Sequence, residues 1–190
     1  MLILASSSRY RRELLRRLQL TFEVMAPHVN ESALALETPL ERAPRLALAK
    51  ATAVSRRRAD ATVIGSDQVA VCKGEILDKP GTAERCEAHL RWLSGSAATF
   101  YTAVAVLPAA GAASIQFLDT TTVYFRPLQS AEIARYIEVE QPFDCSGGFR
   151  SESLGISLFA RVVSEDPTAL IGLPLIALGR ALRQLGYQLP

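Results

Sequence analysis

The sequence predicts an α/β domain: a mixed twisted sheet flanked by helices, in two lobes flanking a cleft. Three observations carry that prediction. Short apolar runs alternate with amphipathic stretches along the whole of the 190 residues, the order that builds parallel strands covered by helices. The second half adds strand-like runs in pairs joined by tight turns, the signature of antiparallel hairpins, so the sheet is mixed. With 49% hydrophobic and 21% charged residues, residues 1–190 make one domain able to bury a substantial core without disulfide or metal staples.

Leu2-Ile3-Leu4 is a short buried strand that Ala5-Ser6-Ser7-Ser8 breaks. A helix is expected from Arg9 to Leu18, with Tyr10, Leu14, Leu15 and Leu18 on one face. Thr21 to Met25 returns as a strand and Pro27 to Glu31 is loop. Pro39 to Arg58 fits a longer helix, with Leu40, Ala43, Ala47, Ala51 and Val54 along one side. Ala61 to Gly65 is an apolar strand expected to end at Ser66-Asp67-Gln68. Val69 to Leu77 reads as a hairpin around Lys73-Gly74. Thr82 caps a helix running through Leu93, with Glu84 and Glu87 in its early turns. Thr99 to Leu107 and Ser114 to Phe125 are strands joined by a Gly/Ala-rich turn, and Ser130 caps a helix from Ala131 to Glu140. A loop from Pro142 to Glu152, a strand from Ile156 to Val163 and a helix from Leu173 to Leu185 complete the pattern.

Composition narrows the function. No apolar run approaches membrane-spanning length, and Leu2 to Ala5 is too short for the core of a signal peptide. The three cysteines, Cys72, Cys86 and Cys145, are odd in number, distant in sequence and in no metal-ligand spacing, which fits free thiols in a reducing cytoplasm. Residues 1–58 hold 11 Lys or Arg against five Glu. Few aromatics are interleaved with them, so a pocket for a small polyanion uses these charges better than a nucleic-acid strand would. Of 21 basic residues only Lys50, Lys73 and Lys79 are lysines. Lys73 belongs to a turn, whereas Lys50 and Lys79 are candidates for contacting phosphate, where a compact mobile ammonium differs from a guanidinium fork.

Three segments offer chemistry. Ser6-Ser7-Ser8 before an arginine-rich helix presents backbone N–H groups and hydroxyls at a helix start, extended by Arg9, Arg11 and Arg12; it is an anion site or an ordinary N-cap. In Gly65-Ser66-Asp67-Gln68, Asp67 follows a buried strand at the sheet edge, where α/β folds place ligands; it binds a divalent ion, activates water, or simply forms a turn. Glu31 offers a second oxygen ligand, or is a plain surface acid. Asp144 to Glu152 is a small-residue loop whose glycines would let backbone approach a ligand. His28 and His89 read as loop-surface and helix-surface residues, so a carboxylate-bound Mg²⁺ or Mn²⁺ is favoured over zinc.

Together the segments resemble the Maf family of nucleotide pyrophosphatases. The matches are Leu4 to Ser8 with Arg11-Arg12, Val29 with Glu31, Leu48 to Ala51, Gly65 to Gln68, Asp78-Lys79-Pro80, Phe100-Tyr101-Thr102, Asp144 to Phe149 and Ile171 to Leu175. The resemblance implies a mixed α/β fold with a deep cleft, a divalent metal, hydrolysis of the α–β phosphate bond of a nucleoside triphosphate, and a homodimer, while composition argues against a stable nucleic-acid or membrane partner. It implies Asp67 as general base or metal-binding carboxylate, Glu31 as its partner on the metal, and Ser6, Arg11, Lys50 and Lys79 as polar cleft residues. Asn30 stands where the family often has an acid, and Arg9 replaces a frequent proline. Tyr10, Gln68 and Phe149-Arg150-Ser151-Glu152 are similar to the subgroup of 7-methyl-GTP pyrophosphatases. A Tyr10 ring face suits a cationic base, Glu152 suits the guanine N1–H and amine, and Gln68 would complete the readout. Activity on dTTP, UTP or another non-standard nucleotide, a nucleotide-binding regulator of septum formation with little catalysis, and a nucleic-acid-binding module suggested by the basic residues 1–58 stay open as alternatives.

Overall fold

A computed structural model describes residues 1–111 and 113–190; Ala112, inside the expected Gly/Ala-rich turn, lies outside the described residues. The sheet has seven strands: β1 (Leu2–Ala5), β2 (Glu23–Val24), β3 (Thr62–Cys72), β4 (Glu75–Leu77), β5 (Ala97–Leu107), β6 (Ile115–Phe125) and β7 (Phe159–Val163). Their order is β2-β1-β3-β5-β6-β7, with β4 on β3. β1 runs parallel to both β2 and β3, while β3–β4 and β6–β7 are antiparallel, so the sheet is mixed as expected. Among the described residues five α-helices accompany it: α1 (Arg9–Arg16), α2 (Pro39–Ser55), α3 (Ala83–Leu93), α4 (Ser130–Glu140) and α5 (Leu175–Gln184).

Contacts group the chain into two compact units. The first comprises Met1–Gln68, Tyr101–Asp119 and Asp166–Pro190. Its main core joins Leu2 and Leu4 of β1, Ile64 of β3 and Val104 and Val106 of β5 to Leu14 and Leu15 of α1 and Leu178 and Leu182 of α5. Side chains alternate along a strand, so Ile3 and Ala5 point the other way, and both are fully buried as well. Strands covered on both faces read as continuous apolar runs, which is why Leu2 to Ala5 shows no alternation. The second unit comprises Val69–Phe100 and Thr120–Glu165. There Phe100, Phe125, Phe149 and Phe159 pack edge to face, with ring centroids 5.2–5.5 Å apart.

Several expected boundaries move, each for a local reason. β3 does not stop at Ser66-Asp67-Gln68 but runs on to Cys72, because all three polar side chains find partners beside the strand. α1 ends at Arg16, and Gln19 turns the chain with a positive φ of 55°. α4 begins at Ser130 with Gln129 before it, whose N–H donates to Glu132 Oε2 at 2.9 Å. The last strand begins at Phe159, after a 3-10 turn over Leu154–Leu158. α5 starts at Leu175, where Pro174 precedes the helix and the hydroxyl of Thr168 and carboxylate of Asp166 accept from the N–H groups of Leu175 and Ile176. The Lys73-Gly74 turn forms as read, and Lys73 Nζ donates to the Trp92 carbonyl at 3.0 Å above the indole ring.

Candidate active site

Gly65 sets the geometry of the first unit. A Cβ there would lie 2.2 Å from the Ala47 carbonyl oxygen and 2.6 Å from the Ala51 nitrogen. Only a glycine therefore lets the backbone of α2 settle onto β3 at this point. Lys50 stands one residue before that contact, and Asp67 is two residues beyond Gly65 on the same face of the strand. Lys50 Nζ accordingly donates to Asp67 Oδ1 at 2.6 Å. Lys50 and Asp67 are each only 6% exposed, and removing one member of such a buried pair costs ~3–5 kcal/mol because the other is left uncompensated.

Glu31 joins them from the loop ahead of α2, its Oε1 2.8 Å from Lys50 Nζ. α2 holds that loop by its backbone: Arg42 donates to the Glu31 carbonyl at 2.9 Å and Arg45 to the Ser32 carbonyl at 3.1 Å. Asn30 Oδ1 accepts from the Ser32 N–H at 2.9 Å, an Asx turn. The unusual residue of this loop thus has a turn-forming role.

The opposite face of β3 is fastened to residues 166–176. Ser66 Oγ donates to the Gly172 carbonyl at 3.0 Å. Gln68 Nε2 lies 2.9 Å from Thr102 Oγ1 and 3.0 Å from the carbonyls of both Ala169 and Leu170. Those acceptors take up both amide hydrogens, so only the Gln68 carbonyl oxygen remains for a ligand. Buried Asp166 accepts from Thr168 and Ile176 and closes the loop on itself. Gly172 has φ +121°, and a Cβ there would meet Arg11 Nε at 3.4 Å.

Arg11 reaches the same loop from α1, its Nε donating to the Gly172 carbonyl at 2.9 Å. Burial lowers the pKa of its guanidinium, while Asp67 and then Glu31 raise it, so Arg11 lies within the field of both carboxylates. Two carboxylates thus face two cations. In the Ser6-Ser7-Ser8 segment, Ser8 Oγ accepts from the Arg11 N–H at the N-cap of α1, and buried Ser6 Oγ accepts from the Ser8 N–H at 3.0 Å. Next to it the Arg9 guanidinium lies 4.7 Å from the centre of the Tyr10 ring and donates to the Tyr10 hydroxyl. Tyr10 is half-buried and already carries a cation on one face.

Ser6, Tyr10, Arg11, Glu31, Lys50, Asp67 and Gln68 therefore all belong to the first unit, whereas Lys79 and Glu152 belong to the second. Lys79 is exposed. The Asp78 beside it pairs with Arg85 at 2.7 Å, and its carbonyl accepts from the Gly147 N–H at 3.1 Å. Glu152 is exposed and accepts from Ser151 Oγ at 3.4 Å. Gly147 and Gly148 have φ of 77° and 74°, and a Cβ on Gly148 would meet Cys86 Sγ at 2.8 Å. The expected small-residue loop thus owes its glycines to its own packing. Phe149 is a core ring rather than a surface group. Cys86 and Cys145 are distant in sequence but meet around that glycine: Cys86 Sγ donates to the Gly148 carbonyl and the Gly148 N–H to that of Cys145. Burial pushes the Cys86 thiol up to about 11. His89 is more covered than a surface residue, lies 3.4 Å from Asp78 Oδ1, and has its pKa lowered by that burial.

Sequence reasoning assigned no role to Ser66, Thr102, Asp166 or the Gly172 carbonyl. Their signal was present: Thr102 is a polar residue at the head of an apolar run, and it is fully buried. Among the described residues no group of three or more His, Cys, Asp or Glu is placed to hold a metal. Two carboxylate oxygens, however, converge on a single cation, the Lys50 ammonium. That donor set suits a hard cation such as Mg²⁺, which binds through one or two carboxylates together with substrate phosphates and water. It lacks the His and Cys ligands that make up most zinc sites. Among the described residues no helix is long and apolar enough to cross a membrane.

Known proteins align with this architecture over its full extent. A relative from Xanthomonas campestris pv. campestris (strain 8004) named 7-methyl-GTP pyrophosphatase is 53% identical over 189 residues, covering 100% of this chain and 98% of its own length. One of the same name from Cupriavidus pinatubonensis is 51% identical, with 98% and 94% covered, and one from Idiomarina loihiensis is 49% identical, with 97% and 94% covered. Among solved structures, the Staphylococcus aureus Ham1 protein superposes with a TM-score of 0.53 over 98% of this chain and 99% of its own, at 14% identity, a likeness of fold alone. The model of the Maf-like protein family matches residues 1–185, and the chain belongs to that family.

Proposed function

We propose that the protein hydrolyses 7-methyl-GTP between the α- and β-phosphates, giving 7-methyl-GMP and pyrophosphate. The observation that carries this reading is the Asp67–Lys50–Glu31 cluster with Arg11 beside it, in a chain about half identical to relatives named for that reaction. Asp67 is buried on a rigid strand, clamped through Ser66 and Gln68, and so can hold an attacking water in one orientation and take its proton. Glu31 and Asp67 would hold a divalent cation, Mg²⁺ or Mn²⁺, which when bound supplies Lewis-acid polarisation of the phosphates. Arg11 and Lys50 neutralise charge that builds on the departing pyrophosphate. Ser6 supports the turn into α1, from which the Arg11 guanidinium projects.

The base is a separate matter. N7-methylated guanine is cationic, and the attraction of the Tyr10 ring for the Arg9 guanidinium supports the reading that an aromatic here can attract a cationic base. The remaining carbonyl oxygen of Gln68, in the same unit as Tyr10, would accept a hydrogen bond from the guanine N1–H or exocyclic amine. A panel of 7-methyl-GTP, GTP, dTTP and UTP assayed for pyrophosphate with Mg²⁺ and with Mn²⁺ tests the reading. The expected order puts 7-methyl-GTP first, with Tyr10→Ala lowering its kcat/KM about tenfold more than that of dTTP, the scale of one cation–π contact of ~1–2 kcal/mol. Preference for dTTP or UTP would overturn the substrate, and absence of pyrophosphate from every triphosphate would overturn the reaction.

A further inference from the structure

Lys50 Nζ lies 2.6 Å from Asp67 Oδ1 and 2.8 Å from Glu31 Oε1, so a monovalent cation already bridges the carboxylates assigned above to a divalent ion. These are the spacings of charge-assisted hydrogen bonds. A hard divalent ion takes carboxylate oxygens at about 2.0–2.1 Å, with no proton donor in between. Ammonium and metal compete for the same two oxygens. We propose that Lys50 is a displaceable counter-ion, which neutralises Glu31 and Asp67 in the metal-free protein and gives them up to the divalent cation, moving its ammonium to the phosphates of the substrate. This rests on the assignment of Glu31 and Asp67 as metal ligands and concerns what Lys50 does there.

Five observations support the exchange. Asp67 is buried, and a buried carboxylate without a counter-charge is costly, so a cation must be supplied whenever metal is absent. The residue supplying it is one of only three lysines among 21 basic residues. An ammonium on a four-carbon stem has rotatable donors and can change acceptors, whereas the arginines of the same helix, Arg42 and Arg45, are fixed on the carbonyls of Glu31 and Ser32. Glu31 has a side chain 55% exposed on a loop and can follow either cation, while Asp67 is held by its strand. Finally, Arg11 and Lys50 already balance the two carboxylates, so a divalent ion arriving alone would leave the site strongly positive. Free metal therefore binds weakly, and it binds well together with a polyanionic triphosphate.

Calorimetric titration of Mn²⁺ into the full chain without nucleotide tests this, comparing the wild type with Lys50→Met, Arg11→Met and Asp67→Asn. Lys50→Met is expected to bind Mn²⁺ at least about tenfold more tightly than wild type, and Arg11→Met to gain no more than about threefold, because only the first removes a cation in contact with the ligand oxygens. Asp67→Asn is expected to abolish the binding. Equal gains in the two methionine variants would mean a general charge effect and overturn the displacement, as would no gain in Lys50→Met. Mn²⁺ binding that survives Asp67→Asn would overturn the ligand assignment itself, and the proposal with it. If Lys50→Met does not fold, the wild type answers alone: with ε-carbon-13 lysine its spectrum holds signals from only Lys50, Lys73 and Lys79. Bound Mg²⁺ is expected to shift the Lys50 signal and leave the other two in place, whereas Mg²⁺ binding with an unmoved Lys50 signal would overturn the proposal.

Discussion

Gln68 shows how a residue's chemistry follows from what its neighbours leave it. Its amide nitrogen donates to the carbonyls of Ala169 and Leu170 and approaches Thr102 Oγ1, so most of its capacity goes into holding residues 166–176 against β3. Gln68→Glu keeps the shape but sets a carboxylate oxygen against those carbonyls. It is expected to lose ~1–3 kcal/mol of stability, the cost of buried acceptors left without donors, with kcat for every triphosphate falling together. A loss confined to 7-methyl-GTP would instead make Gln68 purely a reader of the base. Glu31, Lys50 and Asp67 were legible in the sequence as residue types in matching motifs. That a lysine would lie between the two acids was not, because Lys50 and Asp67 are far apart in the chain and meet only through the contact of α2 with β3.

Elements meet where backbone chemistry allows it, and Gly65 is the clearest case. α2 and β3 were both foreseen from apolar periodicity, and the buried face of α2 includes Ala43, Ala47, Ala51 and Val54 as expected, whereas Leu40 in its first turn is exposed. The strand's continuation past Asp67 was not foreseen, since three polar residues after an apolar run read as a turn unless their partners are known. Those partners, Lys50 and the carbonyls of residues 169–172, come from distant segments. Gly65→Ala would force a methyl against the Ala47 carbonyl and Ala51 nitrogen and push α2 off the strand. The expected cost is ~3 kcal/mol or more, lowering Tm by about 2–4 °C per kcal/mol, and Lys50 would be drawn from Asp67 as the helix moves. A thermal melt with unchanged Tm would show that α2 relaxes without strain.

The whole molecule has the mixed α/β sheet expected from alternating apolar and amphipathic segments, and the ordered motifs pointed to the Maf family, whereas the strand order rests on pairings between distant segments that the pattern does not specify. Two compact units emerge from contacts between distant stretches, with β3, β5 and β6 each contributing residues to both. The paired cations and carboxylates of the first unit are the chemical centre of the account, and Asp67 is the group on which it turns. The most direct measurement follows the products of 7-methyl-GTP with Mg²⁺ by phosphorus NMR, for wild type and Asp67→Asn side by side. Wild type should give 7-methyl-GMP and pyrophosphate in equal amounts with no orthophosphate. A folded Asp67→Asn should turn over at least about a thousandfold more slowly, the scale of losing a general base together with electrostatic stabilisation. Orthophosphate from the wild type, or an Asp67→Asn variant within a few fold of it, would contradict the account.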